Sequence, residues 1–120
     1  MEYLAALAIA IGSWLAVPGG SWRPSDPVIA EAKSQIEPYV SREASQAHRS
    51  LPDWGSYTFQ YQGRELHGRQ VVLVNAFCDA PPQYAAAQMV VAFDGGPCYF
   101  QAYWDPIDKV YISVVFNGDA

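Results

Sequence analysis

The chain has 120 residues and a mass of 13.2 kDa, enough for one domain around one core. Hydrophobic residues make up 51% of it and charged ones 16%, a balance that excludes a disordered chain. Its seven basic residues are scattered singly and the net charge is −5, which argues against nucleic-acid binding and against adhesion to an anionic membrane.

Residues 3–17 (YLAALAIAIGSWLAV) carry no charge, and Pro18, Gly19, Gly20 and Ser21 then break the run. A helix of that length spans about 22 Å, short of the roughly 30 Å hydrocarbon core. The run therefore has the dimensions of a signal peptide's apolar region. Small residues around Val17-Pro18-Gly19 offer a cleavage site, whereas position 2 is Glu where an export signal carries Lys or Arg. Residues 1–19 read as an export signal, with an uncleaved anchor or a buried N-terminal helix as alternatives. No Cys follows the run, which excludes a lipoprotein anchor there. The expected location is periplasmic or secreted, with the mature domain not inserted in a membrane.

Residues 20–27 read as a linker, and residues 28–120 as a single α+β domain. Asp26-Pro27 marks a helix start, with Asp as N-cap and Pro in the first turn. Ile29, Ala32, Ile36, Val40, Ala44, Ala47 and Leu51 follow at helical steps and form one face. Pro38 interrupts this pattern and predicts a kink or two short helices. Leu51-Pro52-Asp53 ends the helical region.

From Trp54 the period changes to two, and 13 of the 17 aromatic residues lie at or beyond it. Strands are expected at 57–62, 70–77, 89–93, 98–104 and 110–116. The turns fall at 63–68, at Asp94-Gly95-Gly96-Pro97 and at 105–108, and 79–87 is a connection. The predicted architecture is a helix packed on a curved antiparallel sheet of about five strands.

Cys78 and Cys98 fit a disulfide in an oxidising compartment, with two unpaired thiols as the alternative. Bridged cysteines need Cα atoms within about 7 Å. A simple meander would hold these two a strand length apart. A bridge therefore places the 98–104 strand antiparallel beside 70–77, with 79–87 crossing back to start the 89–93 strand on the far side.

The segments YTFQYQG (57–63), VNAFC (74–78), DGGPCYF (94–100), YWDP (103–106) and NGDA (117–120) resemble an uncharacterised family of small exported bacterial proteins. That resemblance implies an export signal and a compact disulfide-bearing domain, and it supplies no catalytic residues. The helix-and-sheet outline is also similar to the cystatin and NTF2-like architectures.

No motif marks a reaction. His48 lies near a helix end and His67 in a polar turn, at no metal-ligand spacing to each other or to the cysteines. No Gly-x-Ser-x-Gly elbow occurs, and no Gly-rich loop precedes a helix. Neither a cofactor nor a metal is expected. The aromatic alternation carries more. Cys98, Phe100, Ala102 and Trp104 share one strand face, assigned to the core, and Tyr99, Gln101 and Tyr103 share the other. The expected partner-binding residues are Tyr57, Tyr61, Tyr99, Gln101 and Tyr103, since tyrosine gives large contact area with few rotors to freeze. A merely solvated antiparallel face is the alternative.

Two functions follow from this reading. One is an exported binding module without catalysis, such as an envelope inhibitor or immunity-type protein whose partner is a protein or envelope component. The other is a small-molecule-binding or enzymatic domain with a pocket between helix and sheet, where Asn75 is the candidate polar group.

Overall fold

The structure is a computed structural model that describes residues 8–119. Strand β1 (Trp14–Ala16) comes first, then helix α1 (Asp26–Gln46). Four strands follow: β2 (Thr58–Leu66), β3 (Arg69–Phe77), β4 (Tyr99–Asp105) and β5 (Val110–Phe116). They form one sheet in the order β1-β2-β3-β4-β5. β1 runs parallel to β2 and the other neighbours are antiparallel, so the sheet is mixed. No helix among the described residues is long and apolar enough to cross a membrane.

Helix α1 buries Ile29, Ala32, Ile36, Val40 and Ala44, the face expected from the spacing. Ser25 is the N-cap, one residue before the expected Asp26. Pro38 does not divide the helix into two. It lies on the exposed side of one continuous element, where water can satisfy the carbonyl that its missing N–H leaves free. The helix stops at Gln46, well before Leu51. His48 takes a left-handed conformation there, with φ of 55°. Its N–H donates to Ser45 O at 3.1 Å, and Arg49 N–H donates to Ala44 O at 2.8 Å. This is a Schellman motif with histidine where glycine is usual.

The helix covers one sheet face, against Tyr57, Phe59, Val72, Val74, Phe100, Ala102, Trp104 and Tyr111. Tyr111 hydroxyl donates to Ala32 O at 2.6 Å, and its ring stacks on Tyr39 at 5.1 Å. Trp104 is fully buried, and its indole N–H has no partner among the described residues.

β2 and β3 join through His67-Gly68, both at positive φ (51° and 79°), a two-residue turn of type I′. The expected turn at 63–68 is therefore shorter, and Gly63 lies inside β2. It must be glycine: a Cβ there would sit 2.1 Å from Trp22 O. Ser21 N–H donates to Gly63 O at 3.0 Å, and Trp22 indole N–H donates to Arg64 O and Val71 O, each at 3.0 Å. The 20–22 part of the segment read as a linker is thus hydrogen-bonded to the sheet.

Cys78 and Cys98 are bridged, with Cα atoms 5.0 Å apart. β4 lies antiparallel beside β3, as the bridge requires. The expected strand at 89–93 does not form, because that segment crosses the sheet face instead of joining its edge. The fifth strand is β1, drawn from the apolar run read as an export signal. Trp14 stacks on Phe59 at 4.7 Å and Val17 is buried. Residues 1–7 of that run lie outside the described residues.

Candidate functional site

One sheet face is covered by the helix and the other by the loop 79–98. What holds the loop is a row of carboxamides. Gln60, Asn75 and Gln101 stand in register across β2, β3 and β4 and point away from the helix. Asn75 Nδ2 donates to Gln60 Oε1 at 2.9 Å, and Gln101 Nε2 donates to Asn75 Oδ1 at 3.1 Å.

The row bonds the loop's backbone. Gln60 Nε2 donates to Ala85 O at 2.7 Å and Gln88 O at 2.8 Å, while its Oε1 accepts the Val90 N–H at 2.9 Å. Asn75 Nδ2 also donates to Val90 O at 2.9 Å. Gln60 is fully buried with all four hydrogen-bonding positions used, which removes the cost of burying an amide.

The far end of the loop is held by the C-terminal segment. Asn117 Nδ2 donates to Ala92 O at 2.8 Å and Asp94 O at 3.1 Å. Gly96 N–H donates to Gly118 O at 3.1 Å, and Arg49 donates to Asn117 O at 2.9 Å. Gly95 and Gly96 turn the chain at φ of 96° and 57°, and a Cβ on Gly95 would strike the Tyr99 ring at 2.6 Å. Tyr57 hydroxyl donates to Pro97 O and Tyr99 hydroxyl to Asp79. Burial pushes the Tyr57 phenol up to about 12. The Asp79 hydrogen bond, followed by burial, pushes Tyr99 up to about 12 as well.

The loop presents apolar side chains outward between these ties. Phe93 is 90% exposed, Val91 70% and Tyr84 40%. Val91 and Phe93 flank Ala92, whose carbonyl is held by Asn117.

The five expected binding residues separate. Tyr99, Gln101 and Tyr103 share the loop-covered face, each half-buried, with Gln101 committed to Asn75. Tyr57 is fully buried under the helix, and Tyr61 packs half-buried on the same core. The register explains this: Phe59 aligns with Ala76 and Phe100, so the odd-numbered residues of β2 face the core. Phe93 and Val91 were not among the expected residues. The available signal was an aromatic residue directly before Asp94-Gly95-Gly96-Pro97.

Two open clefts stand out among the described residues. One of about 480 Å³ is bordered by Trp22, Arg23, Asp26, Tyr61 and Gln62. The other, of about 300 Å³, is bordered by Trp14, Trp54, Phe59, Lys33 and Glu37. Asn75 borders neither, its amide being committed to Gln60 and Val90. Cys78, Asp79 and Cys98 cluster, but the two sulfurs are bonded to each other and offer no thiolate ligand. No family model matches the chain, and no curated protein or solved structure matches it.

Proposed function

We propose that the protein is an exported binding module without catalysis, of inhibitor or immunity type, that meets a protein partner in the cell envelope through the loop 79–98. The observation that carries this reading is Phe93, 90% exposed on a loop tied down on both sides of it. A large side chain presented on ordered backbone binds with little further loss of freedom. Aromatic residues are the usual anchors of protein interfaces. The fitting partner offers an apolar pocket for Phe93, with basic groups at its rim to meet exposed Asp94 and a chain of net charge −5. Export is supported by the disulfide, since such bridges persist in oxidising compartments.

The test places a photo-crosslinking residue at position 93 or, as control, at exposed Glu65, in cells producing the protein. A discrete protein adduct from position 93, absent from the Glu65 control, supports the reading. Adducts that do not differ between the two positions overturn it.

The cleft bordered by Trp14, Trp54 and Phe59 favours a second reading, a small-molecule site between helix and sheet. A ligand there would quench or shift indole fluorescence, and Trp54→Phe would reduce that response.

A further inference from the structure

We infer that Asn117-Gly118 is a self-modifying site: Asn117 loses its side-chain amide to solvent, and the carboxylate left in its place releases the end of the loop that carries Phe93. The chain has two asparagines, Asn75 and Asn117, and only Asn117 is followed by glycine. The reaction needs a backbone N–H free to attack the side chain before it, and no Cβ to obstruct the approach. Gly118 meets both conditions. It is exposed, its N–H has no hydrogen-bond partner among the described residues, and nothing lies within 4 Å of where a Cβ would stand. Asn75 meets neither. It sits inside β3, aligned with Gln60 of β2 and Gln101 of β4, and the residue after it is buried Ala76. Backbone held in a ladder on both sides does not fold back onto its own side chain.

The chemistry balances with water as the only co-reactant. The Gly118 nitrogen gives up its proton and its lone pair attacks Asn117 Cγ. The Cγ–Nδ2 bond breaks, and the amide leaves as ammonia with that proton. Water then opens the cyclic imide at either carbonyl, giving aspartate or its β-linked isomer. Both products carry a carboxylate, which accepts hydrogen bonds and donates none at neutral pH.

The present contacts set the consequence. Asn117 Nδ2 donates to Ala92 O at 2.8 Å and to Asp94 O at 3.1 Å, the carbonyls on either side of Phe93. A carboxylate there faces two carbonyl oxygens with no proton between them. Half-buried Arg49, which already donates to Asn117 O at 2.9 Å, offers a cation beside it. Residue 117 therefore exchanges the loop for Arg49, and the loop end loses its tie. That this loosening regulates partner binding rests on the proposed role of Phe93. The modification and the release do not, and both are measured without a partner.

The test ages the purified, oxidised full chain in mildly alkaline buffer. The expected product is heavier by about 1 Da, mapped by peptide mass spectrometry to residue 117, with Asn75 unchanged. Hydrogen exchange across 89–96 should become at least about fivefold faster than in fresh protein, with β3 unchanged, and Asn117→Asp should show the same rise without ageing. Gly118→Ala should slow the mass gain at least about tenfold by crowding the attack. Gly118 has open space around it and no positive φ, so this variant keeps the fold. A chain that gains mass only when unfolded in urea overturns the inference, because the folded contacts then protect Asn117. So does a mass gain that leaves exchange across 89–96 unchanged, or one as fast in Gly118→Ala as in the unmodified chain.

Discussion

Asn75 donates its side-chain N–H to Gln60 Oε1 at 2.9 Å, and the same Gln60 oxygen accepts the Val90 N–H at 2.9 Å. One buried oxygen therefore joins β2, β3 and the crossing loop. The loop lies on side-chain amides where a neighbouring strand would supply backbone groups. Its outward residues are consequently held without being packed.

Replacing Gln60 with Leu should be among the costliest single changes outside the apolar core. It leaves the Val90 N–H and the carbonyls of Ala85 and Gln88 without their side-chain partner. Buried groups orphaned in this way cost about 1–3 kcal/mol each, reduced where the loop lifts and admits water. The expected loss is about 2–4 kcal/mol in urea unfolding, with faster amide exchange at Val90. A loss below about 0.5 kcal/mol would show that the row does not hold the loop.

His48 and His67 are exposed and sit at φ of 55° and 51°. A left-handed backbone costs a non-glycine residue about 1–2 kcal/mol, and glycine returns part of that through the freedom of its unfolded chain. His48→Gly and His67→Gly should each raise stability by about 0.5–1 kcal/mol, read as an increase in Tm. His67→Val should lower it, because a β-branched residue resists positive φ.

The Cys78–Cys98 bridge closes a separation of 20 residues around the loop. The chain-entropy model assigns such a closure about 3 kcal/mol, and removing a bridge from a small secreted domain costs about 2–5 kcal/mol. Cys78→Ala with Cys98→Ala should fall in that range by urea unfolding, and reduction of the unmodified protein should match it. The carboxamide row remains in the double variant, so Val90 should keep more exchange protection than Gly96, whose tie lies near the lost bridge.

Alkaline solution should unfold the domain through its tyrosines. Tyr57 and Tyr99 are both raised from 10.0 to about 12 in the folded protein. The fold thus favours the neutral phenols. That contribution is whole below pH 10 and is lost as pH rises from about 10 to about 12. Tyr57→Phe should flatten this decline in unfolding experiments between pH 8 and 12. It should also lower stability near neutrality by about 1 kcal/mol, since Pro97 O loses its donor. An unchanged alkaline slope in that variant would remove Tyr57 from the account.

The helix face from Ile29 to Ala44, four of the strands and the bridge were legible because each rests on a local period or a distance limit. Residues 89–93 were not. Met-Val-Val-Ala-Phe has a strand's composition, but what receives Val90 is Gln60 and Asn75, whose side chains replace a backbone ladder. That pairing is spatial and leaves no period in the chain. Asn75 stood out as polar in an apolar strand, yet its partner Gln60 is hidden in a run that alternates Gln with aromatics. Trp14–Ala16 was hidden for another reason. An apolar run that suits an export signal also suits an edge strand, and composition does not separate the two. Tyr57 is expected to bind a partner for the contact area a tyrosine offers, whereas it is fully buried in the core beneath the helix.

Phe93 and Asn117 should separate presentation from stability. Phe93 is 90% exposed, so Phe93→Ser removes little packing and should change unfolding free energy by less than about 0.5 kcal/mol. Asn117→Ala removes the donors to Ala92 O and Asp94 O and leaves Phe93 in place. Those carbonyls can turn to water, so the expected loss is about 1 kcal/mol, with exchange rising in the loop and little change in β3. Both variants should weaken partner binding. Phe93→Ser should raise the dissociation rate, because the anchor is gone once the complex has formed. Asn117→Ala should lower the association rate, because fewer molecules hold the loop in its bound shape at any moment. If Asn117→Ala binds as fast as the unmodified protein, the loop is ordered by its partner and not by the C-terminal segment.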